Sequence, residues 1–166
     1  PLTGSLASLR MLAELGAGAV VLPSLFEEEL TNDNGPGAEA FWSTDDRPGA
    51  AASYMETVDR GHLDAYLDLV RDASRELEIP VIASVNGSTP GGWTRAAEAL
   101  QRAGASAVEL NVYAVETDPY SSGAAVEERT LRLVHAVRHA VTIPIAVKLS
   151  PFYTALANVA QRLTDA

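Results

Sequence analysis

Amphipathic helices alternate with short apolar strands along this chain, and this alternation limits the folds that it can adopt. The stretches "LGAGAVVL" (15–22) and "AGASAVELNV" (103–112) each resemble a helix end, a glycine cap and a strand. The stretches "IPVIASVNG" (79–87) and "IPIAVKLSP" (143–151) each enter a strand through Ile-Pro. Because strands that alternate with helices pair in parallel through right-handed crossovers, this order predicts an α/β fold.

The predicted strands are short and rich in Val, Ile and Ala, which is typical of strands covered on both faces. They lie at about 18–23, 80–86, 106–112 and 144–149. Apolar residues at helical spacing, and a Thr-Pro helix start before residue 91, predict the helices. The helices lie at about 6–15, 61–77, 91–103, 123–141 and 154–163.

One segment, residues 25–60, breaks this alternation. It contains "EEELTNDNGPG" and "STDDRPGAAAS", which are acidic, rich in Gly and Pro and weakly periodic. A connection of this length within a compact domain is either a functional loop or lid or a solvated surface loop, and the sequence leaves both open. We predict a single domain over residues 1–166 that contains this long loop.

Composition excludes several classes of function. The net charge is -10, and a nucleic-acid or anionic-membrane surface needs clustered Lys and Arg, so we predict neither partner. The absence of cysteine excludes disulfides, thiolate metal sites and a cysteine nucleophile, and it fits a cytoplasmic location. The acidic clusters at 27–29 and 45–46 have no histidines at matching spacing, so we predict no metal site.

The polar residues of the strands fall on one face. Side chains alternate along a strand with period two, so Ser84 shares a face with Asn86, and Glu109 shares a face with Asn111. Lys148 likewise lies opposite an all-apolar face of its strand. A doubly wound sheet requires two apolar faces, whereas a barrel interior can become polar at its mouth. The pattern therefore predicts part of a TIM (β/α)8 barrel, with parallel strands and outer helices.

The mouth of such a barrel is where a site is expected, because active sites of TIM barrels lie at the carboxyl ends of the strands. Asn86, Asn111 and Lys148 lie at those ends. A buried ammonium group costs on the order of several kcal/mol unless it is paired, so Lys148 is expected to face an anionic partner. The alternative is that Lys148 pairs with Glu109, which does not exclude a ligand contact.

Three stretches carry a resemblance to a known family. In their order and spacing, "SVNGSTPGGW", "VELNVY" and "IPIAVKLSP" resemble the dihydroorotate dehydrogenase family, in particular its dihydroorotate dehydrogenase-like branch. The resemblance extends over essentially the whole chain and implies an FMN-binding (β/α)8 barrel. It places the chain between helix 1 and helix 5 of that barrel, so we expect a fragment. The phosphate site of such barrels lies after strands seven and eight, so the fragment alone is expected to bind FMN poorly.

The resemblance implies roles for the three site residues. Lys148 matches the lysine that contacts the flavin near N1, and Asn111 matches an asparagine that contacts flavin and substrate. Asn86 lies on the neighbouring strand end, where a flavin contact is expected. The resemblance thus implies a flavoprotein that transfers a hydride between a small-molecule substrate and FMN, with a link to pyrimidine biosynthesis.

The chain also departs from the family pattern on the substrate side. Ala114 occupies the position of the family's catalytic Cys or Ser base, and it cannot take a proton. Pro23 falls near a family lysine, while Ser53 and Glu116 fall near asparagines that hold orotate. These departures count against dihydroorotate as the substrate and leave the catalytic residue unknown. The alternative function is a catalytically silent barrel that acts as a binding or assembly scaffold.

The remaining candidates have structural explanations beside the functional ones. His62, His135 and His139 lie on predicted helices away from the strand ends, which favours solvated or helix-capping roles. Tyr113 could stack on a ring or donate a proton, or it could pack at the rim under the long loop. A part-barrel exposes strand edges, so a homo-oligomer is an open alternative.

Overall fold

In the part of the chain that the computed structural model describes, four parallel strands alternate with five helices, which confirms the predicted α/β class. The structure describes residues 2–26, 61–86, 90–113 and 115–165. The elements are α1 (Leu6–Glu14), β1 (Val20–Phe26), α2 (Gly61–Glu76), β2 (Val81–Asn86), α3 (Pro90–Ala103), β3 (Ala107–Val112), α4 (Gly123–Ala140), β4 (Ile145–Leu149) and α5 (Leu156–Thr164). The predicted long loop lies outside the described residues from position 27 onward, as do both acidic clusters.

The two glycine joints have the predicted conformation. Gly16 follows α1 with φ 91° and Gly104 follows α3 with φ 102°, a left-handed backbone that glycine adopts without a Cβ penalty. After α3, the Ala105 N–H donates to the Leu100 carbonyl at 3.1 Å, which satisfies a carbonyl of the last turn. Each glycine ends its helix and turns the chain directly into the next strand.

Strand β1 is longer than predicted, and its prediction as 18–23 was wrong at the carboxyl end. Val21 pairs with Ile82 and Ser24 pairs with Ser84, so β1 contains one extra residue between these pairs. This is a β-bulge, and it contains Pro23, which has no N–H to donate to the strand ladder. The strand therefore continues past the proline to Phe26.

The helices cover one face of the sheet, which we call the helix face. On β3, Val108, Leu110 and Val112 are buried, whereas the residues between them are partly exposed. The helix face packs with fully buried side chains of α2 and α3, including Val70, Ala97 and Leu100. Because side chains alternate along a strand, this packing turns the other residues toward the opposite face. We call that opposite side the open face.

The strands follow one another in the order β1-β2-β3-β4, with every neighbouring pair parallel. A TIM barrel has eight such strands with its helices outside. The described residues form four consecutive strands with helices between them, so they make an arc of such a barrel. Its edges within the described residues are β1 and β4.

Candidate functional site

The three predicted site residues are neighbours on adjacent strands. Asn86 of β2 pairs in register with Asn111 of β3, which pairs with Lys148 of β4. Phe26 of β1 pairs with Asn86 and extends this row across all four strands. Neighbouring strands lie about 4.8 Å apart, so Asn86 and Lys148 are separated by roughly 10 Å across the sheet. The row lies at the carboxyl ends of the strands, as predicted.

A second row lies one layer deeper on the open face and forms a continuous chain of hydrogen bonds. The hydroxyl oxygens of Ser24 and Ser84 are 2.8 Å apart, and Ser84 donates to Glu109 Oε1 at 2.9 Å. Lys148 Nζ donates to the same Glu109 oxygen at 3.2 Å. Because Ser84 uses its proton toward Glu109, Ser24 donates to Ser84. This chain of hydrogen bonds links all four strands and ends on the ammonium group of Lys148.

Lys148 and Glu109, the charged pair at the end of these hydrogen bonds, differ in their exposure to solvent. Ser84 is only 1% exposed, the Glu109 side chain is 19% exposed and the Lys148 side chain is 55% exposed. The structure therefore shows the pairing of Lys148 with Glu109 that the sequence left as an alternative. A half-exposed ion pair contributes roughly 0–1 kcal/mol. Lys148 thus retains exposed surface with which it can contact a ligand.

Tyr66 of α2 supports the strand that carries Ser84. Its hydroxyl accepts a hydrogen bond from the Ser84 N–H at 3.2 Å and lies 3.4 Å from the Ser84 carbonyl oxygen. The side chain is buried, and these contacts lie next to the bulge, where the register of β1 against β2 shifts. Tyr66 therefore helps to satisfy backbone polar groups at an irregular point of the sheet.

Exposed aromatic side chains lie at or just after the carboxyl ends of three strands, β1, β3 and β4. Tyr113 and Phe152 meet edge to face, with ring centroids 6.3 Å apart and planes at 70°. Both are exposed, and so is Phe26 at the end of β1. The rim can therefore offer apolar ring surface beside the two amides and the ammonium group. Whether Tyr113 packs under the long loop stays a prediction, because that loop lies outside the described residues.

Glu116, which the sequence placed near the substrate carboxylate, is held by a cation of α4. Its carboxylate pairs with Arg129 and also accepts the Asp118 N–H at 3.1 Å. The hydrogen bond from Arg129 is the main cause that lowers the pKa of Glu116, followed by the Asp118 N–H. Glu116 is therefore negatively charged at neutral pH. Ala114 and Ser53 lie outside the described residues.

The histidines lie where the sequence predicted. His135 and His139 are exposed on α4, with ring centroids 4.1 Å apart, and α4 packs outside the sheet. The His62 side chain lies outside the described residues. Within the described ranges, no three or more His, Cys, Asp or Glu side chains group together as metal ligands would. The same ranges contain no helix of the length and apolarity that crossing a membrane requires.

Sequence reasoning missed two residues of the open face, Ser24 and Phe26. Because the predicted strand ended at residue 23, Ser24 lay beyond it and Phe26 lay in the predicted loop. A proline within an otherwise strand-like run often marks a bulge or an edge strand. That signal allows the alternation to be continued beyond Pro23, which places Ser24 and Phe26 on the face of Ser84 and Asn86.

Solved structures show the fold class. YagE of Escherichia coli K12, a prophage protein of the dihydrodipicolinic acid synthase family, matches with a TM-score of 0.58 and 15% identity, over 96% of this chain and 43% of that one. A dihydrodipicolinate synthetase-like structure from Pseudomonas aeruginosa matches with a TM-score of 0.59 and 15% identity, over 96% and 44%. This similarity concerns the fold alone. Together with the parallel sheet and outer helices, it confirms part of a TIM barrel.

The sequence similarity identifies the family that the chain resembles. The catalytic subunit of dihydroorotate dehydrogenase B (NAD(+)) from Methanocella arvoryzae is 31% identical over 158 residues, which cover 89% of this chain and 46% of that subunit. The corresponding subunit from Methanosarcina acetivorans is 30% identical over 155 residues, or 86% and 44%. No family model matches. The predicted resemblance to dihydroorotate dehydrogenases is confirmed, and the chain spans less than half the length of these relatives.

Proposed function

We propose that the protein is an FMN-dependent oxidoreductase that transfers a hydride between a small substrate and the flavin. The similarity to subunits named dihydroorotate dehydrogenase supports an oxidoreductase of that kind. One structural observation supports a flavin site: Asn86, Asn111 and Lys148 lie in one register row at the strand ends. The similarity covers only part of each relative, so the activity of the whole protein is our proposal.

The residues of this row fit the chemistry of a flavin ring. An asparagine amide offers both donors and an acceptor, as a ring edge with carbonyl oxygens and nitrogens requires. Lys148 supplies a positive charge with exposed surface, suited to the side of the ring that gains negative charge on reduction. When bound, FMN supplies the hydride-transfer chemistry that side chains lack. Asn86 and Asn111 would orient the ring, and Lys148 would stabilise its charge.

The substrate side favours a molecule other than dihydroorotate. Ala114 offers no group that could remove a proton where the family has its base. The carboxylate of Glu116 stays ionised beside Arg129, and it would repel a substrate carboxylate placed next to it. We therefore propose a small substrate without a carboxylate at that position. A role in pyrimidine biosynthesis rests on the resemblance alone.

A catalytically silent scaffold is the second candidate. Ala114 favours it, and so does Pro23, which lies in the β1 bulge near the position of a family lysine and carries no charge. The predicted cytoplasmic location, the absence of nucleic-acid and membrane partners and the open alternative of a homo-oligomer stay predictions.

A flavin titration distinguishes the two candidates. Protein purified from its complete coding sequence is titrated with FMN, and its visible spectrum is recorded before and after dithionite. We expect bound flavin that dithionite bleaches. A charge-assisted hydrogen bond contributes about 1.5–3 kcal/mol, so Lys148→Ala is expected to weaken FMN binding by roughly tenfold or more. The matched control is Arg102→Ala, which removes an exposed cation of α3 that pairs with Glu98.

Two results would contradict the proposal. A colourless protein that takes up no added FMN would support the scaffold instead. Equal FMN affinity in the Lys148→Ala variant and the unsubstituted protein would remove Lys148 from the site. If FMN binds, a reduction assay with dihydroorotate and other small donors identifies the substrate class, and we expect dihydroorotate to be a poor donor.

A further inference from the structure

We propose that Glu109 is a positioning residue that holds the Lys148 ammonium against the sheet and thereby lowers the reduction potential of the bound flavin. The inference rests on the proposed FMN site. It adds a residue for which the family resemblance implied no role. Its basis is the chain of hydrogen bonds on the open face, which runs from Ser24 through Ser84 to Glu109 and Lys148.

The pairing of Glu109 with Lys148 is set apart from the other ion pairs by its position. Within the four described strands, Glu109 is the only acidic side chain and Lys148 the only basic one. The other ion pairs of the described residues lie on helices and on the segment after β3. An acid and a base on adjacent strands of a largely apolar sheet therefore need an explanation that a solvated surface pair does not.

The geometry shows that Glu109 draws the lysine inward. Lys148 pairs in register with Asn111, which lies nearer to the strand ends than Glu109 does. Its ammonium nonetheless bonds back to Glu109 Oε1 at 3.2 Å. The Glu109 oxygen is in turn fixed by the hydroxyl of Ser84, which is almost fully buried. A buried hydroxyl thus fixes the carboxylate, and the carboxylate fixes the end of a long, flexible side chain.

The charges determine the direction of the effect. Lys148 and Glu109 together are neutral, so the positive charge that Lys148 presents to a ring is partly cancelled. Reduction adds negative charge to the flavin, which Lys148 stabilises and Glu109 opposes. The effect of Glu109 exceeds its size in water because its side chain is largely shielded from solvent. Removing only the charge of Glu109 should therefore favour the reduced flavin.

The test is the midpoint potential of FMN bound to the protein, measured for a set of variants. Glu109→Gln keeps the shape and an acceptor for Ser84 and Lys148 but removes the charge. We expect it to bind reduced FMN about tenfold more tightly relative to oxidised FMN, which corresponds to a rise of about 30 mV for a two-electron couple. Glu109→Asp should return the potential toward the original value. Glu98→Gln, which removes an exposed carboxylate of α3, should leave it unchanged.

Each outcome decides the proposal. An unchanged or lowered potential in Glu109→Gln overturns it, as does an equal rise in Glu98→Gln. If Glu109→Gln does not fold, Ser84→Ala takes its place: loss of the hydroxyl that fixes the carboxylate should shift the potential, and an unchanged value overturns the proposal. If the unsubstituted protein binds no FMN, the proposed function itself fails. If the protein binds FMN but its midpoint potential does not change when Glu109 is substituted, only the role of Glu109 is contradicted.

Discussion

The helix face and the open face of the sheet are built from the same strands, yet one packs apolar side chains and the other presents polar ones. On β3, Leu110 is completely buried among the helices, while its neighbours Glu109 and Asn111 turn to the open face and keep partial exposure. Burial of apolar side chains supplies the stability of the arc. On the other face, Asn86, Asn111 and Lys148 keep exposed surface with which they can contact a ligand. Substitutions of adjacent residues should therefore have different effects: those on the helix face should lower stability, and those on the open face should impair ligand binding.

The largest effect is expected from a substitution in the core, which destabilises the fold without changing the polar row of Asn86, Asn111 and Lys148. Leu110→Ala removes a fully buried side chain between the sheet and its helices, and it should lower the free energy of unfolding by about 2–5 kcal/mol. Asn111→Ala is the matched control on the next residue, and it should change that free energy by about 0.5 kcal/mol or less. Denaturant unfolding followed by circular dichroism measures both. Similar losses of unfolding free energy in the two variants would contradict the view that the helix face alone stabilises the fold at these positions.

A smaller effect is expected at Glu116, which lies after β3 and outside both faces of the sheet. Arg129→Gln removes the main cause of the lowered pKa of Glu116, so that pKa should rise toward its ordinary value. A lowered pKa in the folded state adds stability above the unfolded pKa, and this stability is lost as pH falls through the folded pKa. The variant should therefore be slightly less stable than the original protein at pH 7, and this difference should disappear as pH falls through the folded pKa. Titration of the Glu116 carboxyl by NMR checks the shift, and an unmoved pKa would contradict the assignment.

Much of the fold was predictable because local and tertiary preferences agree. In β2, β3 and β4 the alternation places an apolar side against the helices, and the glycine joints at Gly16 and Gly104 mark where helices end. β1 was not predictable to the same extent. Its bulge places Pro23 inside the strand, and the need for a bulge depends on the pairing with β2 rather than on β1 itself.

The row of Asn86, Asn111 and Lys148 was predictable, and the Lys148–Glu109 pair was foreseen as an alternative, but the other hydrogen bonds of the open face were not. Period-two alternation and the meeting of parallel strand ends suffice to bring Asn86, Asn111 and Lys148 together. The chain from Ser24 to Glu109 depends on the register between strands, which a bulge shifts by one residue, so the sequence could not supply it. The flavin itself came from the resemblance of three stretches to a family, since alternation indicates a polar mouth without naming its ligand.

A crystal structure of the protein with FMN would test the proposed site directly. We expect the flavin ring to lie on the open face, with Asn86, Asn111 and Lys148 Nζ within about 2.7–3.2 Å of its polar atoms. A flavin bound elsewhere, or these three side chains turned away from it, would contradict the proposed flavin site.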